Sequence, residues 1–252
     1  MRKTIGTLIA VCVCVCVCVQ IACHIGRFPV LAARNAMLSG KRMPYDSQVE
    51  YLQSDGNQGI LLPLVTSRDK LTVRYSRINL SDCYFCGGMR TDNSTYSLAL
   101  VHRRNSDTLS RQQVVVIPSG SGNNDFYSPW ISGAGAVQKD VLEVTYDDSV
   151  AGARKAVWWD GSTTAIRTNS WNVGSANALF GIANRTGKGM YSRATIRIHS
   201  YVHIRDGVAI VDLKPVRVKS VGMMYDRVTG SILGSVTSTP LIPGPDIRRS
   251  NV

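Results

Sequence analysis

RATIRIHSYVHI, residues 193–204, alternates with a period of two. Ala194, Ile196 and Ile198 fall on one side, and Thr195, Arg197 and His199 on the other. A helix would need apolar positions recurring every three to four residues. Strict alternation instead describes an antiparallel strand with one wet face.

Working outward, short runs rich in Val, Ile, Thr, Tyr and Trp recur at 71–78, 96–102, 113–117, 141–146, 156–159, 178–182 and 208–213. Such residues suit a pleated, half-buried surface. Clusters of Gly, Ser, Asn and Asp separate the runs. WDGSTT (159–164) and RDG (205–207) carry Asp-Gly, a strong hairpin signal. DDSVAGARK (147–155) reads as a further hairpin connection, and PSGSGNNDFYSP (118–129) as a long loop. No segment sustains a 3.6-residue period, so the expected fold is an all-β sandwich or barrel. No repeat or composition break follows Tyr45, so 45–252 is expected to be one domain, an ordinary size for a sandwich.

The chain begins differently. Arg2 and Lys3 precede an uncharged, mostly apolar run that contains VCVCVCVCV (11–19) and ends at Ile21-Ala22-Cys23. That is the layout of an export signal, a short basic head before an apolar stretch. Residues 1–23 are therefore read as a helical signal peptide or as a membrane or lipoprotein anchor, with Cys23 the candidate lipidated residue. Residues 24–44, with Pro29, Gly40 and Pro44, read as a connector. Each variant places the remainder outside the cytoplasm, in the envelope, at the surface or beyond it.

Five of the seven cysteines lie in that leading segment. Only Cys83 and Cys86 remain, as CYFC. Residues i and i+3 of an extended strand face opposite sides, so the pair is read as two ordinary half-buried thiols, with a disulfide, given a local turn, and a metal site as the alternatives. His199 and His203 share a face of the expected strand, about 13 Å apart on an extended rise, too far to share a metal. Calcium, which needs six or more oxygen ligands, would find Asn123, Asn124 and Asp125 in a turn, without a visible converging set.

MPYDSQVEYLQSDGNQGI (43–60), FCGGMRTDNSTYSLAL (85–100), AVWWDGSTTAI (156–166) and IVDLKPVRVKSVGMMYDRVTGSILG (210–234) with PGPDI (243–247) resemble, in the same order, the concanavalin A-like, laminin-G-type jelly-roll domains of gut-bacterial surface and phage-associated proteins. The resemblance implies two antiparallel sheets packed face to face. It implies no ligand, because such folds host lectins, glycosidases and spacers alike.

Three function classes compete. A non-catalytic glycan-binding or adhesion module would use aromatic faces against sugar C–H patches. Tyr127 and Trp130 are the leading candidates, since a polar loop is a poor place to bury rings. Trp158 and Trp159 are adjacent, so one faces the core and the other is a candidate for exposure; Trp158 is taken as the ligand residue, with Arg90, Asn184 and Arg185 as polar partners. A glycoside hydrolase would need two carboxyl groups about 5–9.5 Å apart. The chain has only Glu50 and Glu143 as glutamates, and EVTYDD (143–148) is the nearest approach, so a non-enzymatic protein is expected. A structural or receptor-contacting surface protein of a phage or bacterial envelope is the third class. The net charge of +12 favours an anionic partner. Basic residues do not interleave with aromatics and no nucleic-acid motif occurs, so an acidic polysaccharide is expected before nucleic acid, with the membrane approached only through the leading segment.

Overall fold

The computed structural model describes residues 43–78, 82–89, 96–104, 112–117, 126–129, 131, 141–150, 153–166, 177–184, 186 and 188–247. From Pro44 onward the described residues belong to one compact unit, Pro44–Val252. The leading export or anchor helix and Cys23 lie outside the described residues.

The strands of this unit are β1 (Ser47–Gln48), β2 (Leu52–Gln53), β3 (Ile60–Leu62), β4 (Asp69–Arg77), β5 (Cys83–Met89), β6 (Tyr96–Arg104), β7 (Gln112–Ile117), β8 (Phe126–Tyr127), β9 (Leu142–Asp147), β10 (Lys155–Val157), β11 (Thr163–Ala165), β12 (Asn177–Leu179), β13 (Gly181–Ala183), β14 (Met190–Arg193), β15 (Ile196–Arg205), β16 (Val208–Val218), β17 (Val221–Asp226), β18 (Ile232–Leu233) and β19 (Ile242–Pro243). They form an all-β, largely antiparallel sandwich. One sheet runs β11-β10-β9-β4-β15-β16-β17-β18, with β1, β2 and β19 attached to its flank; the other runs β14-β13-β5-β6-β7-β8, with β12 and β3 attached.

The alternation in 193–204 is realised as expected at its start. Ala194, Ile196 and Ile198 are buried while Thr195, Arg197 and His199 are half-buried on the other side. Then β15 departs from it. The register against β4 shifts between Ile198 and Ser200, so one residue is unpaired and the faces exchange. Tyr201 and His203 now point into the sandwich and are fully buried. His199 and His203 therefore lie on opposite faces, contrary to the expectation of a shared one.

The two Asp-Gly signals make tight turns. Asp206 and Gly207 adopt φ of 48° and 77° between β15 and β16, the left-handed pair that a two-residue hairpin requires. The run 178–182 is not one strand. Phe180 sits at φ 64° and divides it into β12 and β13, which pair in succession with the edge of β5 opposite β6.

Two cores result. The main one lies between the sheets and includes Tyr75 stacked on Phe85, ring centroids 4.2 Å apart. The second lies on the opposite face of the smaller sheet, where Ala99, Val101, Val115, Ile117 and Ile182 are also buried. Strands β6 and β7 are thus covered on both faces, which is why LALV and VVVI do not alternate.

Cys83 and Cys86 do not form the local disulfide; both are free and buried rather than half-buried. A register shift between Tyr84 and Cys86 turns both thiols toward the core. Burial pushes Cys83 up to about 11 and Cys86 up to about 12. Cys86 Sγ donates to Asn177 Oδ1 at 3.6 Å, so the pair is packing material and chemically quiet.

His199 packs edge-on to Tyr51, with ring centroids 5.6 Å apart, and its Nε2 lies 2.9 Å from Ser76 Oγ. Burial first, and then the neighbouring Arg74, lower its pKa to about 4. The unfolded value is about 6.5. Protonation therefore favours the unfolded chain, and the stability that neutral His199 preserves is intact above about pH 6.5 and lost as pH falls toward 4. Thermal unfolding followed from pH 7 to 4 should show a declining midpoint, and His199→Gln should remove part of that decline. Identical pH profiles for the two proteins would exclude His199 as the group responsible.

Candidate functional site

The β10–β11 hairpin and β8 are the outermost strands of the two sheets on the same side of the sandwich, and a short set of contacts joins them. Ala156 and Trp158 face the core, at 0% and 2% exposure. Trp158 is thus a core residue, which corrects its expected role as a ligand residue. Ala156 pairs with Tyr146 of β9 and points inward with it, and strand alternation carries Trp158 to the same side. Its indole Nε1 donates to Thr164 Oγ1 at 2.9 Å, and Thr164 Oγ1 donates to the Tyr127 carbonyl at 3.4 Å. Trp158 therefore positions the loop that carries the exposed ring.

Tyr127 is 46% exposed, as its place in a polar loop led us to expect. Its backbone is fixed on both sides. Val115 pairs with it across β7 and β8. At the next residue, Ser128 N donates to the Val114 carbonyl at 2.9 Å and Ser128 Oγ accepts from Val114 N at 2.9 Å. A ring held this way loses little conformational freedom when a ligand stacks on it.

Trp159, the other member of the pair, is only partly buried, its ring centroid 6.4 Å from that of Trp158. It opens the turn to β11. Gly161 takes φ 80° there, and Asp160 Oδ1 accepts from Ser162 N at 2.9 Å and from Ser162 Oγ at 2.6 Å. Those hydrogen bonds hold the exposed Asp160 carboxyl below its usual range. Strand β8 thus carries the exposed Tyr127 ring, and the β10–β11 turn a partly buried indole packed against the core and an exposed carboxylate; aromatic, carboxylate and hydroxyl groups are the kinds that meet a sugar's apolar face and its hydroxyl edge. Trp159 is the residue that sequence reasoning passed over.

Asn184 is elsewhere. It follows β13, which lies four strand spacings from β8 in the smaller sheet, roughly 19 Å away. Its Oδ1 accepts from Thr186 Oγ1 at 2.7 Å and from Lys188 N at 3.3 Å, shaping the turn to β14. The structure does not bring it to Tyr127. Trp130, Arg90, Arg185 and the 123–125 turn lie outside the described residues. Among the described residues no group of three His, Cys, Asp or Glu side chains is placed to hold a metal ion.

Glu143, the carboxylate nearest to the hydrolase pattern, lies 3.5 Å from Arg74 on the outward face of the larger sheet, both side chains about half exposed. Its same-face neighbour is Thr145, whose Oγ1 is 2.9 Å from Thr72 Oγ1.

No protein-family model matches this chain, and no curated protein matches it. Among solved structures, the chain is similar to the native heptameric SAP-like pentraxin from Limulus polyphemus, with 12% sequence identity, a TM-score of 0.40, and coverage of 65% of this chain and 72% of that one.

Proposed function

We propose that this is an exported, non-catalytic carbohydrate-binding or adhesion module whose ligand stacks on the Tyr127–Trp159 rim. The observation that carries the reading is the half-exposed Tyr127 ring on a backbone pinned to β7 and, through Thr164 and Trp158, to the larger sheet. Tyrosine is among the residue types that carry the most binding energy in interfaces. Export rests on the basic head and apolar run at the start of the chain. The absence of catalysis is supported by the engagement of Glu143 with Arg74, which leaves it in a surface ion pair rather than facing a second carboxyl group.

A glycan array probed with the 44–252 domain, whose core is complete within that unit, should show binding to a restricted set of sugars. Tyr127→Ala should weaken it by about tenfold, about 1.4 kcal/mol, without lowering the melting temperature appreciably; Trp159→Ala should weaken it similarly but also lower the melting temperature, because the indole packs against the core. An array blank for every sugar, or binding indifferent to both substitutions, would remove the rim from consideration.

A further inference from the structure

The outward face of the larger sheet carries a second set of features that the rim does not use. The register places Lys155 beside Asp147, and Asp147 beside Lys70. Two rows further in, Glu143 stands beside Arg74, and Arg74 beside Ser200, the residue before Tyr201, which pairs with Leu213 and so brings Lys214 into the same row. Arg197 stands beside Ser76, and Arg227 reaches Asp212 from the turn after β17. Among the described residues, six cations thus share this face with three carboxylates.

Each carboxylate is already engaged. Arg74 lies 3.5 Å from Glu143, Lys70 lies 3.9 Å from Asp147, and the Arg227 guanidinium holds Asp212. Lys155, Arg197 and Lys214 have no carboxylate within ion-pair reach among the described residues. Lys214 is the telling one. Partial burial, and then the nearby Arg227, hold its pKa below the usual lysine range, with Asp212 and Glu143 acting against them. Between the charges the floor is made of hydroxyls and aliphatic groups, Thr72 and Thr145 hydrogen-bonded at 2.9 Å, with Val157 and Val202 in the same row.

We infer that this face is a second binding surface, for a sugar polymer bearing widely spaced carboxylate or sulfate groups. The spacing selects the partner. Lys155 and Lys70 are two strands apart, as are Arg74 and Lys214, about 10 Å in each case, and Lys70 and Arg74 are about 13 Å apart along one strand. Duplex DNA presents a charge about every 1.7 Å of its axis, far denser than this lattice, and its phosphates would meet Glu143, Asp147 and Asp212 between the lysines. An acidic polysaccharide separates its charges with neutral ring atoms and hydroxyls, which match the Thr72–Thr145 floor. This surface goes beyond the rim reading and stands or falls separately from it.

The test is affinity electrophoresis of the 44–252 domain through gels containing polygalacturonate, dextran sulfate or neutral dextran, with a short DNA duplex as competitor, at low and at physiological salt. Retardation by polygalacturonate or dextran sulfate, weakening with salt, is expected; which of the two is stronger identifies the anion. Lys155→Gln and Lys214→Gln should each weaken retardation about two- to fivefold, and together about tenfold, whereas Lys188→Gln, in the β13–β14 turn, should not. Equal retardation by neutral dextran, unchanged retardation in the Lys155/Lys214 double variant, or displacement by DNA at lower charge concentration than by the acidic polymers would each overturn the inference. Tyr127→Ala leaves this readout unchanged, so failure of the rim and failure of the charged face are told apart.

Discussion

Asp69→Ala should lower the melting temperature by roughly 6–20 °C. The carboxylate is fully buried at the start of β4 and is the hub of one end of the sandwich. Arg205 Nε donates to its Oδ1 at 2.9 Å and Arg205 Nη2 to its Oδ2 at 3.0 Å. Thr66 N donates to Oδ2 at 2.6 Å, and His203 Nε2, itself fully buried, lies 2.9 Å from the same oxygen. Burial alone would raise the pKa of Asp69; the hydrogen bonds from His203, Arg205 and Thr66 outweigh it and hold the carboxyl well below the usual range. Removing one partner of such a cluster leaves the others desolvated and unpaired, at a cost of about 3–5 kcal/mol, and each kcal/mol shifts the midpoint of a domain this size by roughly 2–4 °C. A folded-state pKa below the unfolded value of about 3.9 means that the stabilisation is present above about pH 4 and is lost as pH falls through the folded value. The loss in Asp69→Ala should therefore be full at pH 7 and shrink in acid. A midpoint within about 3 °C of the parent at pH 7 would show that the cluster holds nothing together.

Gly87→Ala is expected to be comparably damaging for a different reason. Gly87 sits at φ +135° in β5, between Ala99 of β6 and Ala178 of β12. A Cβ there would stand 2.1 Å from the Leu98 carbonyl oxygen and 2.9 Å from the Ala99 Cα. Both are backbone atoms of a neighbouring strand, so nothing can rotate aside. The unfavourable φ costs about 1–3 kcal/mol and the forced separation of strands about 1–3 more. Gly230→Ala is the control. Its φ of +74° is also left-handed, but a Cβ meets nothing within 4 Å, so only the conformational cost of about 1–2 kcal/mol applies. Denaturant unfolding of the two variants should separate them clearly; equal losses would mean that the contact with Leu98 is not what requires glycine at 87.

The architecture was legible where local chemistry speaks for itself. Asp206-Gly207 needs no tertiary context to make a hairpin, and Ile196 and Ile198 need only their period. The same reading failed three residues later, because the unpaired residue in β15 is set by pairing with β4 and leaves no mark in SYVHI. The choice between Trp158 and Trp159 failed similarly. Adjacent residues of equal character are separated only by parity, and parity is fixed by the pairing of Ala156 with Tyr146. Tyr127 was legible because a ring among Gly, Ser and Asn has little around it to bury it. The Asp69 cluster was not, since Thr66, Asp69, His203 and Arg205 meet only through the β4–β15 pairing. The charged face was visible in composition as a positive excess, but its arrangement in rows requires the register of five strands.

The first and last pieces of the sandwich are stitched to each other. Val49 bridges Asp246, β2 pairs with β19, and Ile247 N donates to the Gln48 carbonyl at 2.9 Å. On a ribosome, residues 44–53 emerge early yet must wait for almost two hundred more before their partners exist. Closing so long a loop delays productive folding, and the waiting chain keeps its strand edges unsatisfied. A transcript or protease cut that removes the chain from residue 241 onward should therefore yield a product prone to degradation, although every rim and face residue would still be present.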